Sequence, residues 1–464
     1  MLKHLRRRPG FYKHLWGLAL PLILQNLITT SLGFVDTFMV GLLGNHQLSA
    51  VTAANTPIFL IQVIIFGLMS GLTVLVSQYW GKGDVESINR CMGIALYSGT
   101  AIAVLMAAVL FFHSTGVMSI VTDNTTLIGI GAPYLRLVGI SYVFNAMSSV
   151  YVGMQRSTEN PKLGMMVFGV SMLLNTFLNY CLIFGHFGAP RLEVTGAAVA
   201  TLTSRIVEFV IVLLYALRNR RIPLMPRALL HPGMQMLKSS LTYASPVIAN
   251  ETMWGLGTSM MTVIMGHMTI STDMLAAYAI MGNIDKFSTV TCFGLAGATA
   301  VLVGKRIGEG AEREDVYSLG CCLLTVSTAV GVVIAICLAV LLPLVFIPHL
   351  YPLFKLTPQA TGIATTMCMI YLLVMPLRAF DITNITGLLR AGGDARMAAV
   401  LDLFPLWLIA IPLTALTALV LNAPIPLICL SIQSESLCKI VPSIFRLCSR
   451  KWINDITIRS EEPV

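Results

Sequence analysis

Charge is scarce in this chain. Only 11% of its residues are Asp, Glu, Lys or Arg, against about 25% in an ordinary soluble domain, and this excludes a soluble globular protein. The ten cysteines contain no Cys-x-x-Cys pair, which speaks against a disulfide or metal framework; they read as small core residues. The eight histidines show no His-Glu-x-x-His or other ligand spacing. Gly81-Lys82-Gly83-Asp84 lacks the Gly-x4-Gly-Lys-Ser/Thr spacing of a phosphate loop, so no ATP motor is expected. No Ser/His or His/Asp constellation points to an enzyme. No organic cofactor is implied.

What is present is apolar. Hydrophobic residues make up 56% of the 464, and the mean hydropathy is +0.81. The apolar runs are far longer than the roughly 10 residues of a barrel strand, so the chain reads as an all-α polytopic membrane protein. The basic start, Lys3 to Lys13, followed by an apolar run resembles a signal sequence. That run is too long for one, so a retained first helix is expected. Hydropathy gives twelve spans, near 15–41, 51–80, 91–113, 127–154, 163–185, 196–217, 241–266, 274–304, 316–347, 358–389, 397–420 and 425–446. Several are long enough to require tilting or bending.

The basic residues orient the spans. Loops on the side of the N-terminus hold the cluster Lys3 to Lys13, Lys82, Arg90, Arg156, Lys162, Arg218 to Lys238, Lys305, Arg306, Arg313, Arg390 and Arg396, with Lys439 to Arg459 at the tail. The opposite loops hold only Arg191 and Lys355. Both termini are therefore expected in the cytoplasm, the protein being a monomer in the plasma (in bacteria, inner) membrane. The net charge of +9 is then a topology signal rather than a nucleic-acid surface.

The basic, proline-containing connection near 218–240 divides the chain into a first lobe (1–217) and a second lobe (241–446), followed by a tail (447–464). The halves repeat. Pro21 pairs with Pro246, Gly41 with Gly266, Gly67 with Gly294, and Glu208 with Glu435. Val-Leu-Val-x4-Gly-x-Gly runs from Val74 to Gly83 and again from Val301 to Gly310. Six spans per half make this a parallel repeat, a plan suited to alternating access.

These residues carry a family resemblance. Pro-x-x-x-Gln-Asn through Val-Asp-Thr-x-Met-Val-Gly-x-Leu-Gly (Pro21 to Gly44), the stretch Gly67 to Asp84, and Gly-Leu-Leu-Arg-Ala-Gly-Gly-Asp (Gly387 to Asp394) resemble the multidrug and toxic compound extrusion (MATE) transporters. The match covers about residues 14–420, and the last span is less typical. Glu251 and Asp381 match the second-lobe acids of the bacterial NorM-type branch. The resemblance implies a V-shaped pair of six-helix lobes, with a cationic, amphipathic or aromatic small molecule exported in exchange for Na⁺ or H⁺. It places the first-lobe cation site on Asp36, Asn175 and Asn179, with Thr201 a weaker match.

The residues can also be read by depth. Asp36 lies about 31 Å along its helix from Leu15, in the outer half. Asn175 and Asn179 stand one turn apart on one face, and Thr201 lies one to two turns into the next helix. An acid, two amides and a hydroxyl can thus share one level, and such oxygens suit a desolvated Na⁺ or, at the acid, a proton. The asparagines can equally cross-link helices. Glu251 and Asp381 lie about 15 and 14 Å from the cytoplasmic face, where they can titrate, hold a second cation or meet a cationic substrate alongside Asp36. Alternatively they pair with Lys286 or Arg378, while Asp285 and Lys286 neutralise each other locally. Arg205 and Glu208 suggest a structural pair; Asp402 has no identifiable partner. A lipid flippase is the alternative function. It requires arginines such as Arg136, Arg205 and Arg378 gathered on a cavity.

Overall fold

The computed structural model describes residues 2–6, 9–354 and 356–457. Arg7, Arg8, Lys355 and Arg459, used above to orient the chain, lie outside the described residues. No strand occurs among the described residues. Among the described residues twelve long helices follow one another: α1 Phe11–Gly41, α2 Asn45–Lys82, α3 Val85–Phe112, α4 Thr125–Ser157, α5 Lys162–Phe184, α6 Glu193–Arg218, α7 Met234–Gly266, α8 Ser271–Gly308, α9 Arg313–Leu350, α10 Pro358–Leu389, α11 Ala395–Val420 and α12 Ile425–Cys448. All except α7 are apolar and long enough, by composition, to cross a bilayer. The exception is 33 residues long; Ser, Thr, Asn250 and Glu251 make it more polar than its neighbours. Large apolar side chains such as Phe38, Leu105, Leu173, Leu373 and Phe445 face outward. Helices that are apolar on both faces have lipid as their natural solvent.

The sequence repeat is a structural repeat. The Val-Leu-Val-x4-Gly-x-Gly run closes α2 at Gly83 (φ 74°) and α8 at Gly310 (φ 73°). Each glycine takes the left-handed conformation that ends a helix without a Cβ penalty. In the first half α4 packs against α2, α3 and α6; in the second, six helices later, α10 packs against α8, α9 and α12.

The chain divides into two compact units, the first built on Leu20–Ile248, the second of Met1–Ala19 with Ala249–Ile456. Helix α1 changes unit between Ala19 and Leu20, beside Pro21, and α7 between Ile248 and Ala249, two residues after Pro246. A helix-interior proline removes a ladder hydrogen bond, so each helix has its weakest backbone where its allegiance changes. The start of α1 is tied to its unit by His4 Nδ1 with Ser318 Oγ (2.9 Å) and Tyr12 with Cys322 (3.8 Å).

Within the unit of Leu20–Ile248, small residues bring backbones together. A Cβ on Gly71 of α2 would stand 2.5 Å from the Ala244 Cα of α7, and one on Gly67 would stand 2.8 Å from the Ile248 Cα. Gly67-x-x-x-Gly71 is therefore a close-packing face of the kind common between helices in lipid. The connection after α6 is also packed. Asn89 of α3 donates to the Pro223 carbonyl (3.1 Å) and accepts from the Met225 N–H (3.1 Å).

In the other unit a methionine-rich core, including Met261, Met265, Met274, Met281, Met367 and Met375, fills the space among α7, α8 and α10. The segment after α12 folds back: Trp452 is fully buried beside Gly320 and Gly392, its indole N–H donates to the Leu447 carbonyl (3.1 Å), and the Asn454 N–H reaches the Gly392 carbonyl (3.0 Å). Trp452→Ala is expected to lower stability by about 3–5 kcal/mol, read as the shift in thermal unfolding of the detergent-solubilised protein.

Candidate functional site

Two polar clusters lie inside the helices, one in each unit. The first brings together the four first-lobe positions singled out above. Asn179 and Asn175 are four residues apart on α5 and share a face. The Asn175 amide donates to Thr201 Oγ1 of α6 (3.3 Å), and the Asn179 amide donates both to Asn175 Oδ1 (2.9 Å) and to Asp36 Oδ1 of α1 (2.6 Å). Both asparagines are buried, whereas Asp36 and Thr201 are half-buried. The amide hydrogens thus diverge from Asn179, one branch running through Asn175 to Thr201 and the other ending on the Asp36 carboxylate. Asn179 Oδ1 is left buried without a hydrogen-bond partner, which costs about 1–3 kcal/mol unless it meets a donor or a cation.

Arg205, one turn beyond Thr201 on α6, exerts its charge on Asp36, yet its guanidinium is held by Glu208 at 2.6 Å. The structural pair read from their spacing is present. Two tyrosines, Tyr134 and Tyr142, also lie in the field of Asp36; Gln62 donates to the Tyr142 hydroxyl. The acid is therefore set among neutral oxygens and one distant, already neutralised base. Such a site can take up one positive charge, as a proton on Asp36 or as a small hard cation among oxygens.

The second cluster departs from expectation. Glu251 of α7 pairs with Arg390 (2.7 Å), not with Lys286 or Arg378. Arg378 pairs with Asp285 (2.9 Å), so local neutralisation of Asp285 by Lys286 does not occur. Adjacent helical residues point about 100° apart, and Lys286 is exposed while Asp285 turns toward α10. Asp381 pairs with neither Lys286 nor Arg378: it is 5% exposed, and both its carboxylate oxygens are buried without a hydrogen-bond partner. It lies immediately before the point where α10 widens into π-type turns, Thr383–Leu389, a local geometry often found at working sites.

Three residues escaped the sequence reading. Arg390 and Lys439, assigned there to cytoplasmic loops or tail, are buried at 2% and 5% exposure. Lys439 donates to Asp402 Oδ1 (2.6 Å) and to Glu435. Asn250 donates to the other Asp402 oxygen (2.9 Å), so Asp402 has partners after all. The four-residue spacing of Glu435 and Lys439 inside one apolar span was the available sign. Arg390→Ala leaves the Glu251 charge without its partner and is expected to cost about 3 kcal/mol or more. A double-mutant cycle with Glu251→Gln, followed by thermal unfolding, measures the pair.

Comparison with known proteins agrees with the fold and its repeat. The MatE family model matches residues 21–181 and 246–416, one segment per repeat, each beginning at a paired proline. The probable multidrug resistance protein NorM of Thermotoga maritima is 25% identical over 87% of this chain and 85% of its own. The multidrug resistance protein PmpM of Pseudomonas aeruginosa is 26% identical over 86% and 82%. A solved structure of a multidrug resistance MATE family transporter of the MOP superfamily, outward-facing, superimposes with a TM-score of 0.84 at 17% identity, over 97% of this chain and 98% of that one. Repeated motifs, twelve helices in two halves and a family match over most of both halves lead to one conclusion: this chain belongs to the MatE family and is a multi-pass membrane transporter of the multidrug and toxic compound extrusion type.

Proposed function

We propose that this transporter is a secondary antiporter that exports cationic, amphipathic or aromatic small molecules in exchange for Na⁺ or H⁺ by alternating access. The observation that carries the reading is the cluster Thr201–Asn175–Asn179–Asp36, in which Asn179 donates to a half-buried carboxylate while its own amide oxygen is left unpaired. The coupling ion acts at Asp36, with Asn175, Asn179 and Thr201 supplying neutral oxygens if that ion is Na⁺. In the second unit Asp381 supplies a further protonatable acid, and Glu251 is a charge held by Arg390 until substrate or a proton displaces it. Coupling requires the ion to bind the two conformations unequally, so that its arrival at Asp36 lowers the affinity for the exported cation. The relatives named for multidrug resistance support the substrate class. In this reading the protein is a transporter rather than an enzyme, a monomer with both termini in the cytoplasm.

The lipid-flippase alternative needs free arginines, whereas Arg205, Arg378 and Arg136 are engaged by Glu208, Asp285 and Ser114 (2.6, 2.9 and 2.8 Å). The test is efflux of a panel of cationic dyes from proteoliposomes under an imposed Na⁺ or pH gradient. Dye movement that responds to one of the two gradients supports the antiporter; movement of dye indifferent to both contradicts it.

A further inference from the structure

The second unit contains a cation of its own. Lys439 of α12 is buried and holds two carboxylates, Asp402 of α11 at 2.6 Å and Glu435 one turn back on α12. The remaining Asp402 oxygen is fixed by the Asn250 amide of α7 at 2.9 Å. Asp381 of α10, with both oxygens buried and unpartnered, lies in the field of Lys439, Asp402, Glu435 and Arg378. Arg378 is already paired with Asp285 and Arg390 with Glu251. Two carboxylates therefore hold a single ammonium at contact distance, an amide from α7 fixes one of them, and a third, unpartnered acid on α10 lies in the field of the same group. Oxygens of this number and kind would otherwise form a site for a monovalent metal cation. Lys439 lies beyond the residues matched by the family model, which end at 416.

We infer that Lys439 is a tethered counter-ion occupying the second unit's cation position, so that free Na⁺ does not bind there and metal-ion coupling is confined to Asp36. An ammonium and Na⁺ carry the same charge and compete for the same oxygens. The ammonium is held at a high effective concentration by its own helix, whereas a free ion must be taken from solution. Lys439 thereby sets which ions the second unit accepts: a proton on Asp381 remains possible, a metal ion does not. The part of this inference that concerns Asp36 rests on the function proposed above; the part that concerns Lys439 stands on its own geometry.

The test measures radiolabelled Na⁺ bound per chain on the purified full-length protein. In the native background Asp381→Asn is expected to leave bound Na⁺ unchanged. Lys439→Met is expected to add one bound Na⁺, and Lys439→Arg none. The gain should persist in Asp36→Asn/Lys439→Met and vanish when Asp381→Asn is added, a pattern that a merely structural lysine would not produce. Loss of bound Na⁺ on Asp381→Asn alone overturns the inference and needs no variant at 439; so does a monodisperse Lys439→Met protein with no gain. Native Na⁺ binding that survives Asp36→Asn contradicts the coupling reading instead, and leaves the Lys439 result to be judged by itself.

Discussion

Asp36→Asn is expected to abolish export against a gradient while leaving a folded transporter. The substituted amide keeps an Oδ1 acceptor for the 2.6 Å bond from Asn179, so the cross-link between α1 and α5 survives. What disappears is the negative charge. Without it the site has no proton to exchange and offers a cation only neutral oxygens, each far weaker as a partner than a carboxylate in a desolvated setting. Dye accumulation in everted vesicles should fall to the level of vesicles lacking the protein, whereas thermal unfolding in detergent should move little. Gradient-driven export retained at native level would remove Asp36 from the mechanism.

The second large effect concerns assembly rather than coupling. Gly71→Val should destabilise the unit of Leu20–Ile248 by roughly 3 kcal/mol or more. The new Cβ would meet the backbone Cα of Ala244 at 2.5 Å, and no rotamer relieves a clash with backbone. Helices α2 and α7 would have to separate over the whole Gly67-x-x-x-Gly71 face. Thermal unfolding of the purified variant, or its failure to purify as a single species, provides the readout. Gly33→Ala on α1 is the control, because a Cβ there meets nothing within 4 Å.

How far these features could be read in the sequence depended on the spacing of the residues involved. Helix positions were legible because twenty apolar residues leave few alternatives, although α7 begins at Met234 rather than near 241, its polar first turns being hidden from hydropathy. Asn175 and Asn179 were legible as a pair because a four-residue step is local geometry. Their meeting with Asp36 followed from the depth of each along its helix. The second unit resisted the same reasoning. Glu251 and Arg390, or Asp402 and Lys439, are far apart in sequence and meet only after the helices pack, and depth alone does not say which side each faces. Counting Arg390 and Lys439 as topology charges was the consequence. A base near a helix end looks the same in sequence whether it snorkels to water or turns inward to an acid.

The paired prolines give α1 and α7 the same weak point in the two halves of the repeat. Pro21 and Pro246 lie within two residues of the places where α1 and α7 pass from one compact unit to the other. These are also the helices that carry Asp36 and Glu251. In the proposed mechanism, charge uptake on either helix would act on a rod whose backbone is already missing a hydrogen bond.

The central claim is that positive charge arriving at Asp36 and the exported cation oppose each other. Linkage makes the exchange reciprocal, so substrate must be able to drive the ion as well as the ion the substrate. The direct measurement is therefore ion counterflow in proteoliposomes given a gradient of a transported dye and no ion gradient, followed with radiolabelled Na⁺ and with an internal pH indicator. The account predicts opposite movement of Na⁺ or H⁺ with the native protein and none with Asp36→Asn. Equal ion movement in the two, or dye flux with no ion movement in either, would contradict it.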